Sequence, residues 1–248
     1  MQIYKLGKLP PKIDHRTLQM SRYRIPGAIQ VPEEVSWVTK LSNLGMMLND
    51  QLGDCAEAAS GHSVQQWTTY AGKTVIPSDS AVETMYEGAA GYVPGQPSTD
   101  QGSVLINVLN YWRKTGIGGH KILAYVQVNP LNLQEVREAI YLFGNVYTGI
   151  QLPISAQDAD SWTVSAAGTP NGVPGSWGGH CIPIMAQSPE TLTCVTWGSL
   201  LKMSHNFALD YIDEMYAIVS QDWIEANGLS PSQFNLAQLQ ADLNIVTA

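Results

Sequence analysis

The chain has 248 residues, 44% of them hydrophobic, enough for one large domain or two lobes that share a cleft. Thirteen basic residues stand against 21 acidic ones, a formal charge of −8; Lys5, Lys8, Lys12, Arg16, Arg22 and Arg24 are spread through the N-terminal segment instead of gathered on one face, which argues against nucleic acid as a partner. The sequence shows neither the short apolar stretch of a secretory signal nor an apolar run of the ~20 residues a membrane span needs, so the expectation is a cytoplasmic or virion-associated protein with no membrane partner.

Charged residues make up 14% of the chain, against about 25% in an average soluble domain. That shortage points to surface hidden in an assembly, either homo-oligomeric or a particle. Cys55, Cys181 and Cys194 are too few for a disulfide framework and include no C-x-x-C pair of the kind zinc sites use. A Cys181–Cys194 bridge requires the two to face each other on paired strands.

Residues 1–31, rich in proline and basic residues, carry little periodicity. Their apolar members, among them Tyr4, Leu6, Ile13, Leu18 and Tyr23, favour an extended arm laid on the body over a disordered tail. A helix is expected from Asp54 to about Tyr70, capped by Asp54 or Asp50. A second covers about 80–90, and Gly91 to Gln101 breaks the chain. A third, about 102–114, carries Val104, Leu105, Val108, Leu109 and Trp112 as one apolar stripe. Strands are expected over 122–128, 146–152, 182–186, 192–197 and 215–219, with helices over 132–142, 207–212 and 236–243. Gly168 to Gly179 reads as a loop. Helices come first and strands later: an α+β arrangement.

Two residues could carry chemistry together. Cys55 starts a helix just after Gly53-Asp54; the helix N-terminus favours a thiolate, and free N–H groups there can stabilise an oxyanion. His180 follows a glycine-rich loop and enters an apolar strand; beside a thiol it can take the proton. The structural alternatives are a buried cysteine near a helix cap and a polar residue at a strand edge. His62 lies two turns beyond Cys55 on the same helix, a position that suits a packed core histidine. With no third ligand beside Cys55 and His180, neither a metal nor a cofactor is expected.

Several segments, in order, resemble the papain-like cysteine peptidases. Pro32 to Trp37 resembles the start of the mature domain, with Ser36 in place of the usual aspartate. Leu48-Asn49-Asp50-Gln51-Leu52-Gly53-Asp54-Cys55 resembles the nucleophile segment. Gly102 to Gly116 resembles the helix that closes the first lobe, and Asn132 to Leu152 a helix and strand of the second. Gly178 to Pro183 resembles the histidine strand, and Val195-Thr196-Trp197-Gly198 the Asn-Ser-Trp-Gly element. Leu48 to Cys55 and the later Thr-Trp-Gly are also similar to a group of phage and bacterial proteins that have glycine where this chain has Leu48.

The resemblance implies a papain-like two-lobe fold, with a helical lobe over about 32–120, an antiparallel β lobe over about 121–248 and a cleft between them. It implies Cys55 as nucleophile, His180 as base and then acid, Trp197 as a shield for the pair, and an oxyanion hole from the Cys55 N–H and a side-chain amide, Asn49 or Gln51. The family's histidine-orienting asparagine falls on Val195, so Thr196 can take its place only if the strand register shifts by one. Asp54 adds a charge that opposes thiolate formation. Two functions follow as expectations. One is a cysteine peptidase or amidase acting on a peptide or protein by acyl transfer. The other is a non-catalytic structural or binding protein with the same fold, for example a phage-particle component.

Overall fold

The structure, a computed structural model, describes residues 4–23, 30–227 and 241. A two-residue strand β1 (Val35–Ser36) precedes three helices, α1 (Cys55–Tyr70), α2 (Asp79–Ala90) and α3 (Leu105–Lys114). Then come β2 (Ile122–Val128), α4 (Leu133–Phe143), β3 (Val146–Leu152), the short β4 (Ser161–Trp162), β5 (Gly178–Gln187), β6 (Thr191–Thr196), β7 (Ser199–Ser204), α5 (His205–Tyr211), β8 (Ile212–Ser220) and α6 (Gln221–Asn227). The strands form one sheet ordered β2-β8-β3-β5-β6-β7-β4, with β1 also on β5. All pairs are antiparallel except the two-residue β4–β7 contact.

Local chemistry sets the ends of most helices. Ser78 accepts from the Ala81 N–H to start α2, which stops at Gly91 in the left-handed region (φ 79°). Asn132 accepts from the Glu135 N–H to start α4. At α1 the expectation of an acidic cap is corrected: Asp54 stands at the cap position but makes no capping bond, because its buried carboxylate faces the Asn49 amide (3.3 Å).

α1 is the axle of the molecule, with Cys55 through Thr68 all buried. A helix buried on every side is normally apolar, yet α1 carries Ser60, Ser63, Gln65 and Gln66. Each finds a partner. Ser60 donates to the Ala56 carbonyl and Gln65 to the Ser42 carbonyl. Gln66 Nε2 donates to the Gly144 carbonyl (2.7 Å), and Gln66 Oε1 accepts from Asn145 (2.6 Å). These bonds tie α1 to the entry of β3. Around them Trp67 stacks on Trp112 (centroids 5.6 Å) in a core shared with β2, β3 and β8. A second core lies on the other side of the sheet, under α4 and α5.

The structure shifts several expected boundaries. α3 begins at Leu105 and not at 102, because Gly102 is left-handed (φ 81°) and Val104 extended. β5 begins at Gly178, where Gly178 and Gly179 pair with Leu152 and Gln151; His180 therefore lies inside the strand, opposite Ile150. β7 was not expected; Trp197 (φ 45°) and Gly198 (φ 70°) form a two-residue hairpin that turns β6 back into it. Cys194 pairs with Ile184, three positions beyond Cys181, and all three thiols are free. Apart from residue 241, the helix expected over 236–243 lies outside the described residues.

Replacing Gln66 with Ala should cost about 3 kcal/mol, because it strands the buried Gly144 carbonyl and the Asn145 amide, and an unmet buried polar group costs about 1–3 kcal/mol. The midpoint and slope of denaturant unfolding measure it; a loss under about 0.5 kcal/mol would remove α1's polar ties from the account.

Candidate active site

Cys55 is the first residue of α1, so by position its N–H has no intrahelical acceptor. His180 sits on β5, which packs against α1. The two side chains line one buried cavity of about 10 Å³, room for a single water, together with Asn49, His62, Val195, Thr196 and Trp197. His180 Nε2 bonds Thr196 Oγ1 at 2.7 Å, and Nδ1 has no partner among the described residues. With Nε2–H donating to Thr196, Nδ1 keeps its lone pair and can accept a proton. Trp197 covers the ring in a parallel stack, centroids 4.3 Å apart and planes at 14°. A bulky residue at positive φ is strained; Trp197 is held there by that stack and by a bond from its Nε1–H to the Lys5 carbonyl.

Asn49 is buried at the same cavity, where its amide donates to the Leu52 carbonyl (3.2 Å) and to Asp54 (3.3 Å). Gln51 is a correction: it is exposed and is not part of the cavity lining, because the turn at Leu48 points it outward. The cavity thus brings together Cys55, His180, Asn49, Thr196 and Trp197 and leaves Gln51 out.

Burial dominates the electrostatics. It pushes the Cys55 thiol up to about 12, with the Glu57 carboxylate adding to the rise; backbone groups of Cys181 and Gly7 act the other way. Burial lowers His180 to about 3 and His62 to about 4. Glu57, on α1, is raised to about 8 by burial although Ser103 donates to it at 2.7 Å. Burial likewise raises Asp54 well above the ordinary carboxylate value, and Asp54 ranks below Glu57 in its effect on Cys55. At neutral pH the resting pair is a thiol and a neutral imidazole.

The N-terminal segment adds to that burial: residues 5–9 run alongside the cavity residues, bonded to their backbone, and the Gly7 backbone reaches Cys55. Lys5 N–H donates to the Asn49 carbonyl, Ser103 N–H to the Gly7 carbonyl (2.7 Å), Lys8 N–H to the Gly179 carbonyl (3.0 Å) and Leu9 N–H to the Ser103 carbonyl (2.9 Å). A Cβ on Gly7 would fall 1.7 Å from the Gly53 carbonyl oxygen, and one on Gly102 would fall 2.0 Å from the Gly7 oxygen. The Lys8 side chain is fully buried against Asp213 and Glu214.

No protein-family model and no curated protein matches the chain. Solved structures do match its fold. Xylellain, a cysteine protease from Xylella fastidiosa, superposes with a TM-score of 0.68 at 12% identity, covering 88% of this chain and 97% of its own. The procathepsin B S9 of Trypanosoma congolense gives 0.59 at 11% identity (88% and 87%), and the Carica candamarcensis cysteine protease CMS1MS2 gives 0.57 at 11% (77% and 99%). The chain has the α+β papain-like fold. Among the described residues no helix is long and apolar enough to cross a membrane, and no three His, Cys, Asp or Glu side chains are grouped to hold a metal ion.

Stability should bend with pH in a way these groups dictate. Glu57 is protonated in the fold up to about 8 but ionises near 4.5 when unfolded, so its contribution is lost as pH rises between those values. His180 and His62 stay neutral in the fold, so their contribution is lost as pH falls from 6.5 toward 3 or 4. Glu57→Gln keeps an acceptor for Ser103 and removes the alkaline loss, on the order of a few kcal/mol at pH 8.5 with each pKa unit worth about 1.4 kcal/mol. Thermal unfolding of wild type and variant at pH 5 and 8.5 tests it; an equal gain at both pH values would count against a protonated Glu57.

Proposed function

We propose that this chain is a cysteine peptidase or related amidase, held latent by its own N-terminal segment. The observation that carries the reading is His180: one ring nitrogen is tied to Thr196, the ring is roofed by Trp197, and the other nitrogen is free in the cavity shared with Cys55. In the reaction, the Cys55 sulfur bonds to the substrate's carbonyl carbon while His180 Nδ1 takes the thiol proton. The tetrahedral oxyanion is met by the Cys55 N–H and the Asn49 amide. On collapse the C–N bond breaks, the amine leaves with the proton from His180, and a thioester remains. Water then adds to the thioester with His180 again as base, which releases the acid and restores the thiol. For that oxyanion the Asn49 amide must exchange the Leu52 carbonyl or Asp54 for substrate.

Latency follows from what faces the sulfur. The Gly7 carbonyl is held by the Ser103 N–H, so the arm directs its backbone N–H side, not a carbonyl carbon, toward Cys55. The arm therefore dries the site without being a substrate for it.

A second reading, a binding protein that keeps the fold without the reaction, rests on the two buried acids at Asp54 and Glu57 and on a filled cleft. The two differ in the thiol. Gly7→Val cannot fit against Gly53 and should lift the arm without substituting any of the cavity's own side chains. In that full-length variant Cys55 should alkylate with iodoacetamide at pH 6 at least tenfold faster than in wild type, where an ordinary thiol is almost wholly protonated. Adding His180→Ala should abolish the gain; adding Thr196→Val should cut it roughly ten- to a hundredfold, whereas Thr196→Ser preserves it. If Cys55 in the Gly7→Val protein labels no faster than Cys181 and Cys194, the acyl-transfer reading fails.

A further inference from the structure

Lys8 is the most tightly held side chain of the arm. Its stem lies on Gly149 of β3, where a Cβ would come within 2.2 Å of Lys8 Cε and 3.0 Å of Cδ, so no other residue leaves room for it. Its ammonium reaches Asp213 Oδ2 at 2.8 Å and lies 3.2 Å from Glu214 Oε1, and its side chain has no solvent exposure. Both acids are themselves held in place: Gln151 donates to Asp213 (2.7 Å), and the Tyr216 hydroxyl donates to Glu214 Oε2 (2.9 Å). Glu214 is 2% exposed. The slot is thus a preformed lysine receptor: a floor without a side chain, two carboxylates at the end, and a second layer of donors that fixes them.

Its position gives the slot meaning. The main chain at Lys8 is bonded to Gly179, the residue beside His180, and its two neighbours are bonded to Ser103. Any extended chain that uses the same backbone partners places one side chain into this slot, with its main chain beside His180. We propose that the Gly149–Asp213–Glu214 slot is a specificity subsite, and that the substrates are peptides or proteins with a lysine, or less well an arginine, at the position that Lys8 mimics. This deepens the peptidase reading and rests on it for the word substrate; recognition of a lysine-bearing chain does not depend on catalysis. Two carboxylates against one ammonium also disfavour neutral occupants, since an apolar side chain would leave a buried acid unpaired. Lysine suits the slot better than arginine because the stem is clamped over Gly149 at the length of Lys8.

Binding tests the slot apart from the reaction. In the full-length Gly7→Val protein with Cys55→Ala added, a fluorescent extended peptide carrying lysine should bind at least tenfold tighter than its norleucine analogue, and Glu214→Gln should shrink that ratio to within threefold. A ratio near one in the parent protein overturns the proposal, whatever Cys55 does. If lysine peptides bind selectively but Gly7→Val cleaves none of them, the slot stands and the acyl-transfer reading falls. A second measurement needs no displaced arm: Lys8→Ala leaves the slot empty in an otherwise intact chain. Millimolar n-butylammonium should raise its melting temperature by several degrees, n-butanol at the same concentration should not, and Glu214→Gln should abolish the rise. Equal effects of amine and alcohol overturn the proposal.

Discussion

Three backbones meet at Gly7, Gly53 and Gly102, so closely that neither Gly7 nor Gly102 could carry a side chain. That close approach fixes the path of residues 5–9, and much of the site's behaviour depends on the path. With Gly7 seated, Lys8 is delivered to Asp213 and Glu214, Lys5 reaches Asn49 and Trp197, and Cys55 and His180 are buried. The Gly53 N–H also donates to Asp100 (2.8 Å), which sets the loop just before Cys55. The same residues therefore shape the empty cleft and hold the segment that fills it.

Magnitudes decide the state of the thiol. A helix N-terminus favours an anion by at most about 2 kcal/mol. A thiol raised from 9.0 to about 12 reflects an opposing effect on the order of 4 kcal/mol, at about 1.4 kcal/mol per unit, and burial is its first cause. The dipole at α1 loses that contest while the arm is seated. Under the proposed function, lifting the arm reverses the larger effect and leaves the smaller one, so exposure and activation of the sulfur would be one event. Glu57 reinforces the resting state only weakly at neutral pH, because the same lack of water that raises the thiol raises that carboxyl to about 8.

Periodic apolar patterns made the elements that pack on one face legible in the sequence. Ile122–Val128 and Val146–Leu152 fall where alternation and β-branched residues put them, and α2 starts at its serine and stops at its glycine. α1 was legible only as a helix; that its polar side chains are buried and paired with Ser42, Gly144 and Asn145 depends on partners up to 79 positions away, which no local pattern encodes. Cys55 and His180, singled out in the sequence by the glycines before them, line one cavity in the fold. The lysine slot was not. Adjacent acids at 213 and 214 carry no local signal, and Lys8 is one of several scattered cations, until the fold brings residues 205 apart into contact.

The register at the end of β6 shows how a departure in sequence can be absorbed by backbone geometry. Counting back from Trp197 places Val195 where a hydrogen-bonding residue would be expected, and in a regular strand Thr196 would point to the opposite face. Here the strand ends at Thr196, and the next residue, Trp197, turns into positive φ. Val195 and Thr196 both line the cavity as a result, and it is the hydroxyl at 196 that meets His180. A threonine is shorter than an asparagine, so the ring must come closer to the strand end, and the nearly parallel stack of Trp197 on His180 holds it there. The strained turn, the stacked indole and the threonine thus act as one device: together they fix the imidazole by Nε2 and leave Nδ1 without a partner among the described residues.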